Sequence, residues 1–196
     1  MKLYTIYSAS EAEQALILSQ IPLIGQLQEP YQQKTLDAYA TALKNSTFPS
    51  LADAPFSRHS THYRLLAHIN EVAEAGLMLA DFAYSHWPDE WTKKLDRQEL
   101  LQILLLHDLD KYLLLSDESL EMSIAHGTLS AMILNDLGFD SRVIGGRQPF
   151  PLRFASSGRS CLHDPALLRP ILLRPHLYAR QQNTALLYEI AGEQEP

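Results

Sequence analysis

The sequence has little cysteine, little glycine and no run of positive charge. One cysteine among 196 residues, Cys161, excludes an internal disulfide and a zinc site built from several thiolates. Sixteen lysines and arginines against 23 aspartates and glutamates give a net charge of −7, which disfavours binding to a nucleic-acid backbone. No stretch is apolar for long enough to span a bilayer, so we expect no membrane partner. Because cysteine is nearly absent, any metal site must use nitrogen and oxygen ligands.

The composition is typical of a globular chain that folds as a single domain. Hydrophobic residues make up 46% of the sequence and charged residues 20%. Within that domain, we expect residues 1–57 to form N-terminal helices that pack on a core formed by residues 58–196. Glu11 and Glu13 precede the first apolar stretch, which is a poor match to a signal peptide. We therefore expect a cytoplasmic protein.

Apolar residues recur at helical spacing along most of the chain, and no segment shows the alternation of a strand. Three segments show the helical pattern most clearly: 61–84, 97–114 and 118–137. The middle segment is apolar nearly all round, which indicates a central, buried helix. Beyond Gly138, several prolines interrupt the remaining pattern. The sequence therefore predicts an all-α bundle with a C-terminal region divided by prolines.

Two polar residues, His107 and Asp108, interrupt the leucines of the middle helix. Burying charge is costly unless the charge is paired or bound to a metal. An imidazole nitrogen and a carboxylate oxygen are ligands that suit divalent ions such as zinc, manganese or iron. Lys111 follows Asp108 by about one helical turn, so it should lie on the same side and could hold an anion beside that ion. This segment predicts a metal site.

Two further histidines, His68 and His126, fall on the inward-facing sides of the neighbouring predicted helices. A single histidine on an apolar face is more often a core residue with a satisfied hydrogen bond than a metal ligand. Facing helices of a bundle can, however, bring such residues together in the core. Taken with His107 and Asp108, these two histidines favour a shared metal centre.

The order of these residues resembles the HD-domain superfamily of metal-dependent phosphohydrolases. The likeness depends on two histidines, one His-Asp pair and one lysine in a fixed order: His68, His107-Asp108, Lys111 and His126. It covers residues 58–138, about two fifths of the chain. Asp110 stands where the family usually has a glycine.

The resemblance implies an HD-like helical bundle and a divalent metal ion, which could be Mn, Fe, Zn, Ni, Co or Mg. The implied ligands are His68, His107, Asp108, His126 and a final aspartate from a later helix. Asp164 is the expected final ligand, although Pro165 after it is more typical of a helix start. Asp136 and Asp140 are weaker choices for that role, because each follows His126 too closely. A second-metal histidine, which some members carry, would have to be His163 or His176.

The implied reaction is hydrolysis of a nucleotide or another small phosphorylated metabolite. A metal-activated water attacks phosphorus while positive groups neutralise the phosphoryl oxygens. Asp108 and Lys111 are the expected catalytic residues, and Arg64 and His62 the expected further substrate contacts. Glu71 is expected to act as general base or as hydrogen-bond partner of a ligand imidazole. For Arg64 and Glu71, a solvated position on the helix surface is the alternative.

Two other functions stay open. An HD-like domain that has lost catalysis could serve as a regulatory or interaction module, and Asp110 in place of glycine favours this alternative. A third candidate is an HD-fold oxygenase with two irons. The expected partner of the hydrolase is a small anionic substrate, nucleic acid is disfavoured, and a homodimer is one alternative for the oligomeric state.

Overall fold

The computed structural model describes residues 3–87 and 96–145, and most of them are helical. The α-helices in these ranges are α1 (Glu11–Gln20), α2 (Tyr31–Lys44), α3 (Leu65–His86), α4 (Arg97–Leu106), α5 (Lys111–Leu114), α6 (Glu118–Ser123), α7 (Thr128–Asp136) and α8 (Ser141–Gly145). Two short 3-10 helices cover Pro22–Gln26 and Leu51–Asp53. The predominantly helical class is therefore confirmed for this part of the chain.

The expectation of no strand was wrong, because a two-stranded hairpin precedes α3. Strand β1 (Pro55–Ser57) pairs antiparallel with β2 (Ser60–Arg64). Strands of three and five residues are too short to show a clear alternation of apolar and polar residues. The hairpin occupies the start of the helix predicted over 61–84, so α3 begins only at Leu65.

Two predicted helices are each divided by a turn. After α4 ends at Leu106, the backbone N–H groups of Leu109 and Lys111 bond three residues back, which tightens the chain into a turn before α5. The helix predicted over 118–137 is interrupted between α6 and α7, where Gly127 adopts a left-handed φ of 89°. A left-handed residue cannot continue a right-handed helix. The turns therefore place His107 and His126 at helix ends rather than in helix interiors.

Capping side chains and one glycine set other helix ends. Ser10 begins α1 with a capping box, in which its side chain accepts from the Glu13 N–H and the Glu13 carboxylate accepts from the Ser10 N–H. Asp96 caps α4 by accepting from two backbone N–H groups of its first turn. Gly138 follows α7 with a φ of 70°, which ends that helix.

One apolar core joins the N-terminal helices to the rest of the described chain. It includes Ile17, Leu36, Leu65, Leu104 and Leu129. Helix α3 packs along α4, and α2 contacts both α4 and α5. The hairpin, which contains the expected boundary between residues 57 and 58, packs on α3. Within the described ranges, no helix has both the length and the apolar character needed to cross a membrane.

The contact between α3 and α4 is close because α3 carries a glycine there. A Cβ atom at Gly76 would lie 2.5 Å from Cδ1 and 2.6 Å from Cδ2 of Leu104. Leu104 is only 1% exposed, so its side chain is enclosed by the core. The absence of a side chain at position 76 thus sets how closely the two helices approach.

We expect Gly76→Ala to lower the free energy of unfolding by about 1–3 kcal/mol, because the added methyl overpacks the contact with Leu104. The matched control is Gly25→Ala, where a Cβ would meet nothing within 4 Å. Gly25→Ala should leave the stability unchanged or raise it slightly. Urea unfolding of both variants checks the difference, and equal stabilities would contradict the close contact.

Candidate metal centre

Three side chains from two elements meet in the core: His68 from α3, and His107 and Asp108 from the turn after α4. Nε2 of His68 lies 3.1 Å from Nε2 of His107 and 3.3 Å from Oδ2 of Asp108. Nε2 of His107 lies 3.4 Å from the same Oδ2. The side chains are only 10%, 14% and 6% exposed, respectively. We call His68, His107 and Asp108 the ligand triad.

The spacing and chemistry of the ligand triad fit a divalent ion. Ligand atoms bound at about 2.0–2.2 Å, with angles of roughly 90–110° between them, lie about 2.8–3.6 Å from one another. The three distances in the triad all fall in this range. Two imidazole nitrogens and one carboxylate oxygen form a donor set that zinc, manganese, iron, cobalt or nickel can accept. The residues present therefore fit the expected ion.

A backbone contact orients the ring of His107. Its Nδ1 lies 2.7 Å from the carbonyl oxygen of Leu104, which can only accept a hydrogen bond. Nδ1 therefore carries a proton that it donates to this carbonyl, and Nε2 is the ring nitrogen that faces His68 and Asp108. Metal-ligating histidines commonly donate their second ring N–H to a carbonyl in this way.

Asp108 is the centre of the charge distribution. Nζ of Lys111 lies 2.7 Å from its Oδ2, and Nε2 of His126 lies 3.0 Å from its Oδ1. Burial alone would raise the pKa of Asp108. The nearby His107, together with hydrogen bonds from His107, His126 and His68, outweighs the burial and holds the pKa of Asp108 well below its usual range. The carboxylate is therefore ionised and available as an anionic ligand.

His126 reaches the site from the turn between α6 and α7, not from a helix face as predicted. Its side chain is 53% exposed, and its Nδ1 lies 3.1 Å from Oδ1 of Asp110. The contacts of the ring with the carboxylates of Asp108 and then of Asp110 raise the pKa of His126 to about 9. In this arrangement His126 contacts Oδ1 of Asp108, whereas His68 and His107 both lie near Oδ2. Its role as a metal ligand stays a prediction.

Aromatic rings from the hairpin cover one side of the triad. The ring centroid of Phe56 lies 4.5 Å from that of His68, and Nζ of Lys111 lies 3.8 Å from the Phe56 centroid. The Tyr63 ring meets His68 edge-on at 6.0 Å. Phe56 and Tyr63 were missed because the hairpin itself was missed, and a lone aromatic residue in a polar loop gives no signal of its own.

Three other predicted residues lie around the hairpin and the start of α3. Glu71 is exposed, and its carboxylate accepts a hydrogen bond from the Tyr63 hydroxyl. Arg64 is the last residue of β2 and donates to the carbonyl of Asp53 at 3.0 Å, so its expected position on a helix face was wrong. His62 is exposed on β2. The roles of all three in catalysis or substrate binding stay predictions.

The expected final aspartate, Asp164, lies outside the described residues, as do His163 and His176. Asp136 and Asp140, the weaker candidates, are both described and exposed. Neither belongs to the ligand triad.

Comparison with known proteins gives no relative from which a function could be transferred. No protein-family model matches the chain, and neither a curated protein nor a solved structure matches it. The function must therefore be argued from the geometry of the site.

A double-mutant cycle measures the contact between the Lys111 ammonium and the Phe56 ring. We expect Phe56→Leu and Lys111→Met to be coupled by about 0.5–2 kcal/mol in urea unfolding, because each change removes the same cation–π interaction. The control cycle pairs Lys111→Met with Phe82→Leu. Phe82 is 55% exposed and about 21 Å along α3 from His68. Equal coupling energies in the two cycles would contradict the contact.

Proposed function

We propose that the chain is a metal-dependent phosphohydrolase of the HD type, acting on a nucleotide or another small phosphorylated metabolite. The observation that supports it best is the ligand triad, whose two imidazole nitrogens and one carboxylate oxygen lie 3.1–3.4 Å from one another. Buried groups of this kind at this spacing are typical of a divalent metal site.

The residues around the triad suit the transfer of a phosphoryl group to water. A divalent ion, when bound, supplies a water nucleophile at neutral pH and polarises a phosphoryl oxygen. His68, His107 and Asp108 would hold that ion. Lys111, whose ammonium lies beside Asp108, would neutralise charge that develops on the phosphoryl oxygens.

The position of Lys111 also supports an anionic substrate. Its side chain is 19% exposed, and its ammonium contacts both the Asp108 carboxylate and the Phe56 ring. A partly buried ammonium attracts an anion more strongly than one in open water, since the lower dielectric weakens the interaction less. A phosphate group at this position would have the lysine and the triad as neighbours.

One observation favours the second candidate, a regulatory or interaction module without catalysis. Each oxygen of Asp108 already has a nitrogen partner, because Lys111 contacts Oδ2 and His126 contacts Oδ1. The buried carboxylate is thus compensated by side chains of the protein alone. An oxygenase with two irons has no comparable observation in its favour among the described residues.

Metal binding is tested first. The purified protein should bind at least one equivalent of Mn²⁺ or Zn²⁺ in titration calorimetry and metal analysis. Asp108→Ala should weaken that binding by on the order of 100-fold or more, because it removes the anionic ligand, while circular dichroism still shows a helical fold. Asp140→Ala, which changes an exposed carboxylate, should bind as the unchanged protein does. Undiminished binding by Asp108→Ala would refute the site.

Phosphate release from a panel of nucleotides and sugar phosphates tests the reaction. Lys111→Met should retain its metal and lose on the order of 10²–10³-fold in kcat, because one group that stabilises developing charge is removed. The matched control is Lys44→Met, which should keep its kcat. Lys44 pairs with Glu13 on the surface.

The same measurements separate the three candidates. If the protein binds no metal and releases no phosphate, the result would favour the regulatory module. Bound iron with an intervalence absorption band would favour the oxygenase.

A further inference from the structure

Asp110, which stands where the family resemblance leads one to expect glycine, is a completely buried carboxylate. Its contacts in the described structure lead to a short segment at the start of α7. Oδ2 accepts from the backbone N–H of Gly127 at 2.5 Å, and Oδ1 lies 3.1 Å from Nδ1 of His126. The backbone N–H of Asp110 donates to the Ser130 hydroxyl at 2.8 Å.

A buried carboxylate is costly to maintain unless its oxygens are compensated. Among the described residues, Oδ1 of Asp110 has no hydrogen-bond partner of good geometry, and Nδ1 of the His126 ring lies 3.1 Å from it. Asp110 therefore interacts with an imidazole that is otherwise half exposed. The carboxylate provides a fixed, buried anchor for a ring that stands at the protein surface.

The two oxygens of Asp110 restrain consecutive residues in different ways. The bond to Gly127 fixes the backbone of the turn, in which Gly127 has a left-handed φ of 89°. The contact with Nδ1 fixes the ring of His126. With both restraints in place, the other ring nitrogen, Nε2, lies 3.0 Å from Oδ1 of Asp108.

We propose that Asp110 is a positioning residue that holds the His126 imidazole against Asp108. The structural part of this inference concerns the protein without metal, and its effect on turnover rests on the proposed function. A carboxylate in contact with the second nitrogen of a metal-site histidine restricts the orientation of that ring, and loss of such a partner typically costs 10–100-fold in metal affinity or activity.

Nitrogen NMR of the metal-free protein tests the position directly. In protein labelled with ¹⁵N-histidine, His126→Gln identifies the signals of the ring. We expect the Nδ1 proton of His126 to exchange with water at least tenfold more slowly than that of the exposed His62, because Asp110 shields it. Equal exchange rates in the unchanged protein would overturn the proposal, even if no variant folds.

Two variants separate positioning from general support of the turn. Asp110→Asn removes the charge that faces Nδ1 and should abolish the slow exchange. Ser130→Ala removes the other side-chain contact of Asp110 but leaves its carboxylate intact, so slow exchange should persist. Slow exchange that survives in folded Asp110→Asn would contradict the assignment.

Turnover supplies the second readout. Asp110→Asn should lower kcat for phosphate release by about 10–100-fold while KM changes by less than about threefold, because the ring is displaced and substrate contacts stay. Ser130→Ala should keep its kcat. If the protein binds no metal and releases no phosphate, the proposed function fails, whereas the exchange measurements still decide whether Asp110 positions His126.

Discussion

The ionised carboxylate of Asp108 is the constraint on which the site depends. The side chain is 6% exposed, and such a charge persists in a protein core only when surrounding groups compensate it. Four side chains do so from separate points in the fold: His68, His107, Lys111 and His126. Removing any one of them leaves the charge of Asp108 less fully compensated, so the four contacts act as a network rather than as independent pairs. The network joins α3, the turn after α4, the start of α5 and the turn before α7.

Helix α3 contributes His68, and the other two members of the triad come from the turn at the end of α4. Leu105, the neighbour of the last α4 residue, is fully buried, and its carbonyl accepts from the buried Tyr39 hydroxyl of α2 at 2.5 Å. The end of α4 is thus held where His107 and Asp108 begin. A continuous helix separates consecutive side chains by about 100° around its axis. A turn is free of this restriction, so it can direct two consecutive side chains to the same point. The tight turn lets two consecutive residues, His107 and Asp108, contribute atoms to one triad.

The sequence was sufficient to predict the helical class and the convergence of His68 with His107 and Asp108, because both follow from apolar periodicity and from the cost of buried charge. Periodicity could not locate the turns. A left-handed glycine such as Gly127 leaves the apolar pattern around it intact, so 118–137 reads as one helix. Asp110 is the other instructive case. In the sequence it was noted only as a departure from the glycine of the family pattern, because its burial and its partners at the start of α7 depend on tertiary structure. Metal identity and substrate depend on groups that no local pattern encodes.

The glycine at position 76 has a consequence for the site as well as for the core. It lies about two turns beyond His68 on the same helix, and the element that it allows to approach is the one that ends at His107. The 3.1 Å distance between Nε2 of His68 and Nε2 of His107 therefore depends partly on the close helix approach that the glycine allows. Tightly packed interiors transmit small displacements instead of absorbing them. A substitution along α3 that alters this helix contact is therefore expected to change the distance between the two imidazoles as well as the stability of the core.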